Sequence, residues 1–284
     1  MRLSSPAVWS FVASLVCLGA TAEPAGVLEV DLVFPRNETY EPTPYMPVVF
    51  GFRNGELARR LRPNILITIL NTADLGNPEG YIETPVTVNW TSNEPNFVYT
   101  IFPNTFATEG NWKITWDLGW TSCKVEDDGL IHGDIIDEHT TRFSSFVMKK
   151  GGKPVDLVAI TANNKTCTET LGVALNVTDT TAYISLRNRP ETFLSSDSGL
   201  ETCVLVATST PAPTPTPTTN PCLIKITSSA AAAISASAKA KQCILDPTPD
   251  CPDRWEENAT QQLAVARVTC FAVAFGAFAF SFLS

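Results

Sequence analysis

The stretch "NWKITWDLGW", residues 111–120, decides the expected fold. Its apolar residues recur at every second position, with polar or small residues between them. The apolar set is Trp112, Ile114, Trp116, Leu118 and Trp120. Helical spacing would also align the three tryptophans, but Ile114 and Leu118 fit only a period of two. The pattern therefore predicts a β-strand with one buried face.

The tryptophan face has two interpretations. An exposed row of indole rings would form a platform for sugar rings, whereas a buried row would belong to the core of a β-sandwich. Five apolar positions on one face, opposed by polar positions on the other, favour the core.

From residue 27 to residue 207 the chain alternates turn-forming stretches with short runs rich in β-branched and aromatic residues. Only "GELARRL", residues 55–61, indicates a short helix. We therefore predict a mainly β fold, an antiparallel β-sandwich that is immunoglobulin-like in style. The strand-like runs include "VLEVDLVF", "YMPVVFGF", "NILITIL", "PVTVNW", "FVYTIF", "TTRFSSFVM", "VDLVAIT", "TAYISL" and "ETCVLVAT".

The composition changes after residue 207. Residues 208–221, "TSTPAPTPTPTTNP", are typical of an extended, O-glycosylated linker. The next run, "CLIKI", is interpreted as a final strand. The alanine-rich stretch from about Ser228 is either a helix or a Ser/Ala stalk without fixed structure.

Both ends of the chain carry processing signals. Arg2, a short apolar run and the small residues before Glu23 form a secretory signal that is cleaved after Ala22. The C-terminal end has small residues from Asn258, a short spacer and an apolar tail, which is typical of a GPI-anchor signal. An uncleaved C-terminal membrane helix is the alternative. The predicted organisation is signal peptide 1–22, β-sandwich ectodomain 23–207, Pro/Thr linker 208–221, a Cys-containing Ala/Ser-rich segment 222–257, and anchor signal 258–284.

Six of the eight cysteines remain after both cleavages, which suits three disulfides in an oxidising compartment. Three precede the linker and three follow it, so complete pairing within one molecule requires at least one bond across the linker. A helix from about Ser228 to Gln242 would be roughly 22 Å long and would separate Cys222 from Cys243. We therefore expect a Cys243–Cys251 bond and a bond from Cys222 that docks the C-terminal segment on the sandwich. The six are Cys123, Cys167, Cys203, Cys222, Cys243 and Cys251.

Glycosylation signals and charge agree with an extracellular location. Loss of Arg2 and Arg267 from 20 basic residues leaves 18 against 29 acidic ones, a formal charge of −11. This charge argues against nucleic acid as a partner. We expect the protein on the extracellular face of the plasma membrane or in the cell wall. Four N-glycosylation sequons lie in the expected ectodomain, at Asn37, Asn89, Asn164 and Asn176.

The segment from Cys123 to Phe143 holds both histidines among many acids. Such side chains can hold calcium or zinc, but their spacing fits neither an EF-hand nor H-E-x-x-H. We interpret the segment as an acidic, solvated loop between two strands and expect no metal and no cofactor. Its polar residues are Asp127, Asp128, His132, Asp134, Asp137, Glu138 and His139.

No sequence motif indicates an enzyme. The chain lacks a G-x-S-x-G elbow, a Walker loop and a G-x-G-x-x-G turn. A glycosidase needs only two suitably spaced carboxylates, so the acid content leaves that activity open.

Three features carry a resemblance to a known family. They are "VFPRNETYEPTPYMPVVFGFRN", "EGNWKITWDLGWTSC", and the Pro/Thr segment followed by a GPI-like tail. Together they resemble fungal secreted proteins with an extracellular domain of unknown function. The resemblance covers residues 27–245 and implies a filamentous fungus and no assigned activity. It supplies no catalytic residues.

We therefore expect a structural or binding role at the cell surface or wall. A wall-glycan-modifying enzyme and a glycan-binding adhesin are the alternatives. The expected partners are the membrane, through a GPI anchor or a C-terminal helix, and wall glycans or surface proteins.

Overall fold

A computed structural model describes residues 25–73, 78–85, 95–125, 131–163, 167, 171–183, 202–207, 220–251 and 264–266. These residues form eleven strands and three α-helices. The strands are β1 (Gly26–Phe34), β2 (Thr39–Tyr40), β3 (Tyr45–Arg53), β4 (Asn64–Asn71), β5 (Pro78–Pro85), β6 (Asn96–Pro103), β7 (Gly110–Val125), β8 (Ile131–Met148), β9 (Gly172–Tyr183), β10 (Thr202–Val206) and β11 (Ala264–Ala266). The helices are α1 (Ala58–Leu61), α2 (Leu157–Ala162) and α3 (Ser228–Leu245).

The strands form two sheets packed face to face. Sheet A has the order β10-β9-β1-β3-β6-β11, and sheet B has the order β2-β8-β7-β4-β5. All neighbouring strands are antiparallel except β2 and β8, which pair in parallel. The prediction of a mainly β, antiparallel sandwich is confirmed.

The tryptophan face of β7 lies between the sheets. Trp112, Ile114, Trp116 and Leu118 are buried, and Trp120 is half-buried. The Trp116 ring meets Phe50 of sheet A edge to face, with ring centroids 5.2 Å apart. The core interpretation is therefore correct, and an aromatic platform on this face is wrong because the rings fill the interior.

The prediction of a strand at "VDLVAIT" is wrong. It contains most of α2, which begins after Asp156; the Asp156 side chain accepts a hydrogen bond from the Ala159 amide at 3.0 Å. Leu157, Ile160 and Thr161 are buried, at the i, i+3, i+4 spacing of a helix face. An N-cap aspartate and this spacing outweigh the β propensity of the run.

The prediction of a loop for the acidic segment after β7 is also wrong where the structure describes it. Residues 131–139 form the first half of β8, while residues 126–130 lie outside the described part of the chain. The strand is fixed by its pairing with β7, where His139 lies opposite Gly119 and Asp137 opposite Thr121. Strand β8 therefore carries the polar residues from His132 to His139 that the sequence assigned to a loop.

A third layer covers the outer face of sheet A. Residues 220–251, here the C-terminal layer, begin with a 3-10 turn at Pro221–Leu223 and continue as an extended segment outside both sheets. The predicted strand at "CLIKI" is therefore wrong, because these residues form part of a 3-10 turn and an extended segment that pairs with none of the described strands. Their alternation is real nevertheless, since Ile224 and Ile226 are buried and Lys225 is exposed.

Helix α3 completes this layer and begins at Ser228, so the helix interpretation is correct and the stalk is not. The side chain of Thr227 caps α3 by accepting from the Ala230 amide. Ala230 and Ile234 are buried, and the hydroxyls of Ser237 and Tyr99 of β6 are 2.6 Å apart. The C-terminal segment is docked on the sandwich.

Of three disulfides among the described residues, two link different parts of the fold and one closes a loop within the C-terminal layer. Cys123–Cys203 joins β7 of sheet B to β10 of sheet A. Cys167–Cys222 crosses the linker and ties the C-terminal layer to the chain between α2 and β9, and Cys243–Cys251 closes the loop after α3. The expected Cys243–Cys251 bond and the expected bond from Cys222 are both present.

Several predicted features lie outside the described residues. They are the signal peptide, most of the linker, the sequons at Asn89 and Asn164, and the anchor site at Asn258. The apolar tail is outside as well. Among the helices that the structure describes, none has the length and apolar character needed to cross a membrane.

Candidate functional site

Among the residues that the structure describes, nothing packs over the alternate residues of β8 from His139 to Ser145 on the outer face of sheet B, which are exposed, whereas the C-terminal layer packs on the outer face of sheet A. Since side chains alternate along a strand, the residues between the buried tryptophans of β7 point outward. Their neighbours in register on β8 and β4 point the same way. We call this set the open face: Lys113, Thr115 and Asp117 of β7, Thr141, Phe143 and Ser145 of β8, and Leu66 and Thr68 of β4.

Phe143 is the central apolar feature of the open face. It is 60% exposed, and it is the one exposed aromatic ring in the part of the chain whose side chains are described. The Lys113 ammonium lies 4.6 Å from the ring centroid, within the range of a cation–π contact. An exposed aromatic ring contributes little to the core. A ligand that covers the ring would gain the free energy of burying it.

Polar side chains surround this ring. In register, Phe143 lies opposite Thr115, Thr141 opposite Asp117, and Ser145 opposite Lys113. The Thr141 hydroxyl donates a hydrogen bond to the Asp117 carboxylate. Hydroxyls, a carboxylate and an ammonium on this strand pair provide donors and acceptors beside one apolar ring. Such a surface suits a ligand that has both hydroxyls and apolar faces.

The predicted acidic and histidine cluster is only partly brought together. His139 and Asp137 are exposed on β8, next to the open face, and Asp137 accepts from the Thr121 hydroxyl at 3.1 Å. Glu138 points the other way and accepts from the Trp120 indole at 2.7 Å. Asp127 and Asp128 lie outside the described residues, as do the side chains of His132 and Asp134.

These groups form no metal centre in the part of the chain that the structure describes. There, no three histidine, cysteine, aspartate or glutamate side chains come together as a set of ligands. The alternation along β8 explains the separation, because consecutive residues face opposite sides of the sheet.

The described glycosylation sites lie outside the three strands that form the open face. Asn37 is exposed in the turn between β1 and β2. Asn176 lies on β9 of sheet A, opposite Val27. The described strands β4, β7 and β8 carry no sequon. The open face itself therefore carries no sequon among the described residues.

Comparison with known proteins identifies the family. Residues 23–252 match a family described as a domain of unknown function, DUF7136. The chain belongs to this family. The match includes both the sandwich and the C-terminal layer, in agreement with their packing as one unit. No curated protein and no solved structure matches the chain.

Sequence reasoning missed Phe143. It placed the residue in a strand, "TTRFSSFVM", but examined only the tryptophan face of the neighbouring strand for a ligand platform. The spacing of Phe143 and Phe146 indicates that one of the two rings is exposed, since residues three apart on a strand face opposite sides. Phe146 is buried and Phe143 is exposed.

Proposed function

We propose that this DUF7136 protein is a cell-surface glycoprotein that binds wall glycans through the open face of sheet B. The observation that carries the proposal is the exposed Phe143 ring, whose register neighbours on β7 and β8 are hydroxyl and charged side chains. Sugars stack their apolar ring faces on aromatic side chains and give their hydroxyls to polar neighbours. A binding role needs no catalytic group.

An extracellular setting supports this role. The structure contains three disulfides, which persist in oxidising compartments. The predicted signal peptide and GPI signal would place the protein on the outer face of the plasma membrane or in the wall. The resemblance to secreted fungal proteins is the reason for proposing a fungal wall.

The binding experiment uses the full-length protein, purified in detergent and applied to β-glucan, chitin and mannan. We expect one of them to be bound, and Phe143→Ala to weaken that binding about tenfold, which corresponds to about 1.4 kcal/mol. Leu223→Ala is the matched control, because Leu223 is 59% exposed but lies in the C-terminal layer. It should bind as the wild type does.

Two results would contradict the proposal: no polysaccharide is bound, or Phe143→Ala binds as tightly as Leu223→Ala. Release of soluble sugars during the incubation would instead favour the enzyme alternative. Anchoring is tested separately with phosphatidylinositol-specific phospholipase C, which should release the protein from membranes. Retention of the protein together with peptides from residues 268–284 would show that the GPI proposal is wrong.

A further inference from the structure

The outer face of sheet A contains a buried carboxyl group. Asp31 of β1 is fully buried, and its register partners on the neighbouring strands are both glycines, Gly51 of β3 and Gly172 of β9. Within the described part of the chain, neither carboxyl oxygen of Asp31 has a hydrogen-bond partner. A charged carboxylate without partners is costly to bury, so this site favours the neutral acid.

The C-terminal layer packs over the glycine beside this carboxyl group. A Cβ atom placed on Gly51 would lie 2.8 and 2.9 Å from two carbons of Ile224. Ile224 therefore sits directly above Gly51, on the face to which Asp31 also points. Ile224 is completely buried there, so the layer shields from water the part of the face that Asp31 shares with Gly51.

The other acid of this face is satisfied. Glu29, two residues before Asp31, forms an ion pair with Arg53 of β3. It also accepts a hydrogen bond from the backbone amide of Asn220, at the start of the C-terminal layer. The contrast shows that the fold provides partners for one carboxylate of β1 and none for the next.

The charged groups on the surrounding elements contact other atoms. Arg36, in the turn after β1, donates to the carbonyls of Ile160 and Asn163, at 3.1 and 2.7 Å. Arg142 of β8 donates to the carbonyl of Gly172, and Lys225 of the C-terminal layer to that of Thr161. Two further charged residues lie on the helices: Asp156 caps α2, and Lys239 of α3 donates to the Thr248 hydroxyl.

Burial raises the pKa of Asp31 from 3.8 to about 7. With the C-terminal layer closed, Asp31 therefore keeps its proton up to about pH 7. With the layer opened, Asp31 would lose the proton near pH 4. Closure is most favourable below pH 4, and this advantage is lost as the pH rises from 4 to 7. Above pH 7 both forms are ionised and the dependence levels off.

We propose that the C-terminal layer is a pH-controlled cover of sheet A, closed when Asp31 is protonated and loosened when Asp31 ionises. The Cys167–Cys222 bond keeps the layer tethered at its start, so it opens without leaving the molecule. Opening exposes the apolar surface under α3, which includes Val49, Phe97 and Tyr99. This inference is independent of glycan binding, because the open face lies on the other sheet.

Hydrogen exchange of the full-length protein between pH 4 and pH 8 tests the proposal. After correction for the intrinsic exchange rate, the opening constant of the α3 amides near Ala230 and Ile234 should rise by up to about tenfold per pH unit from 4 to 7. The amides of β7 should keep constant protection. Asp31→Asn and Asp31→Leu should both remove the pH dependence, and the apolar variant serves where the amide variant does not fold.

Asp137→Asn is the matched control, because Asp137 is an exposed strand aspartate on sheet B. It should show the wild-type pH dependence. The proposal is overturned by α3 protection that does not change with pH, or by a wild-type slope in both Asp31 variants. A parallel loss of protection in β7 and α3 would also overturn it, because that result describes global unfolding and not the opening of a cover.

Discussion

Replacing Trp116 by alanine tests the assignment of the β7 tryptophans to the core. Trp116 is completely buried and packs edge to face on Phe50. Its indole nitrogen has no hydrogen-bond partner among the described residues, so the substitution removes packing and breaks no such bond. Deleting a large buried aromatic side chain costs about 3–5 kcal/mol. For a chain of this size, that cost lowers Tm by roughly 6–20 °C.

Thermal unfolding of the full-length protein, followed by near-ultraviolet circular dichroism, measures this effect. Phe143→Ala is the comparison, because its ring is mostly exposed and its loss should change stability by no more than about 0.5 kcal/mol. Trp116→Ala should therefore lower stability, whereas Phe143→Ala should weaken glycan binding and leave stability nearly unchanged. The reasoning fails if Trp116→Ala melts within about 2 °C of the wild type. It also fails if Phe143→Ala is destabilised as much as Trp116→Ala.

Three further predictions concern the C-terminal layer. The double variant Cys167→Ala/Cys222→Ala opens a loop with a sequence separation of 55. The chain-entropy relation then gives a loss of about 4 kcal/mol in the free energy of unfolding, which urea unfolding under oxidising conditions measures. Gly51→Ala should destabilise by about 1–3 kcal/mol because its methyl group meets Ile224, and adding Ile224→Val should recover part of that loss in a double-mutant cycle. Tyr99→Phe removes the hydroxyl that contacts α3 at 2.6 Å and should cost about 1 kcal/mol, without changing glycan binding.

Much of the fold follows from alternation along the chain. The period of two in β7 predicted both the strand and its buried face, because a half-buried strand requires apolar residues at every second position. Short apolar runs were less informative. "VDLVAIT" fits a buried strand as well as one helical turn and a half, and only the capping role of Asp156 decides between them. "CLIKI" alternates correctly, yet alternation cannot show whether a backbone finds a pairing partner.

The site was harder to predict because it depends on pairing across strands. Phe143 acquires its surroundings from Thr115 and Asp117, which lie more than twenty residues earlier and meet it only through the β7–β8 register. Asp31 gave a misleading signal for a similar reason. A strand "VLEVDLVF" with acids at alternate positions is typical of a solvated outer face. Ile224, which packs over Gly51 beside Asp31, comes from a segment much later in the chain.

The two outer faces of the sandwich differ in what packs on them. The outer face of sheet A lies against the C-terminal layer, where Ile224 and Ile234 are completely buried. On sheet B, Phe143 is 60% exposed between the exposed residues Thr141 and Ser145. Binding at Phe143 and opening above Gly51 therefore involve different surfaces on opposite sides of the sandwich. This separation is why the two proposals can be tested with different variants of the same protein, Phe143→Ala for the ligand and Asp31→Asn for the cover.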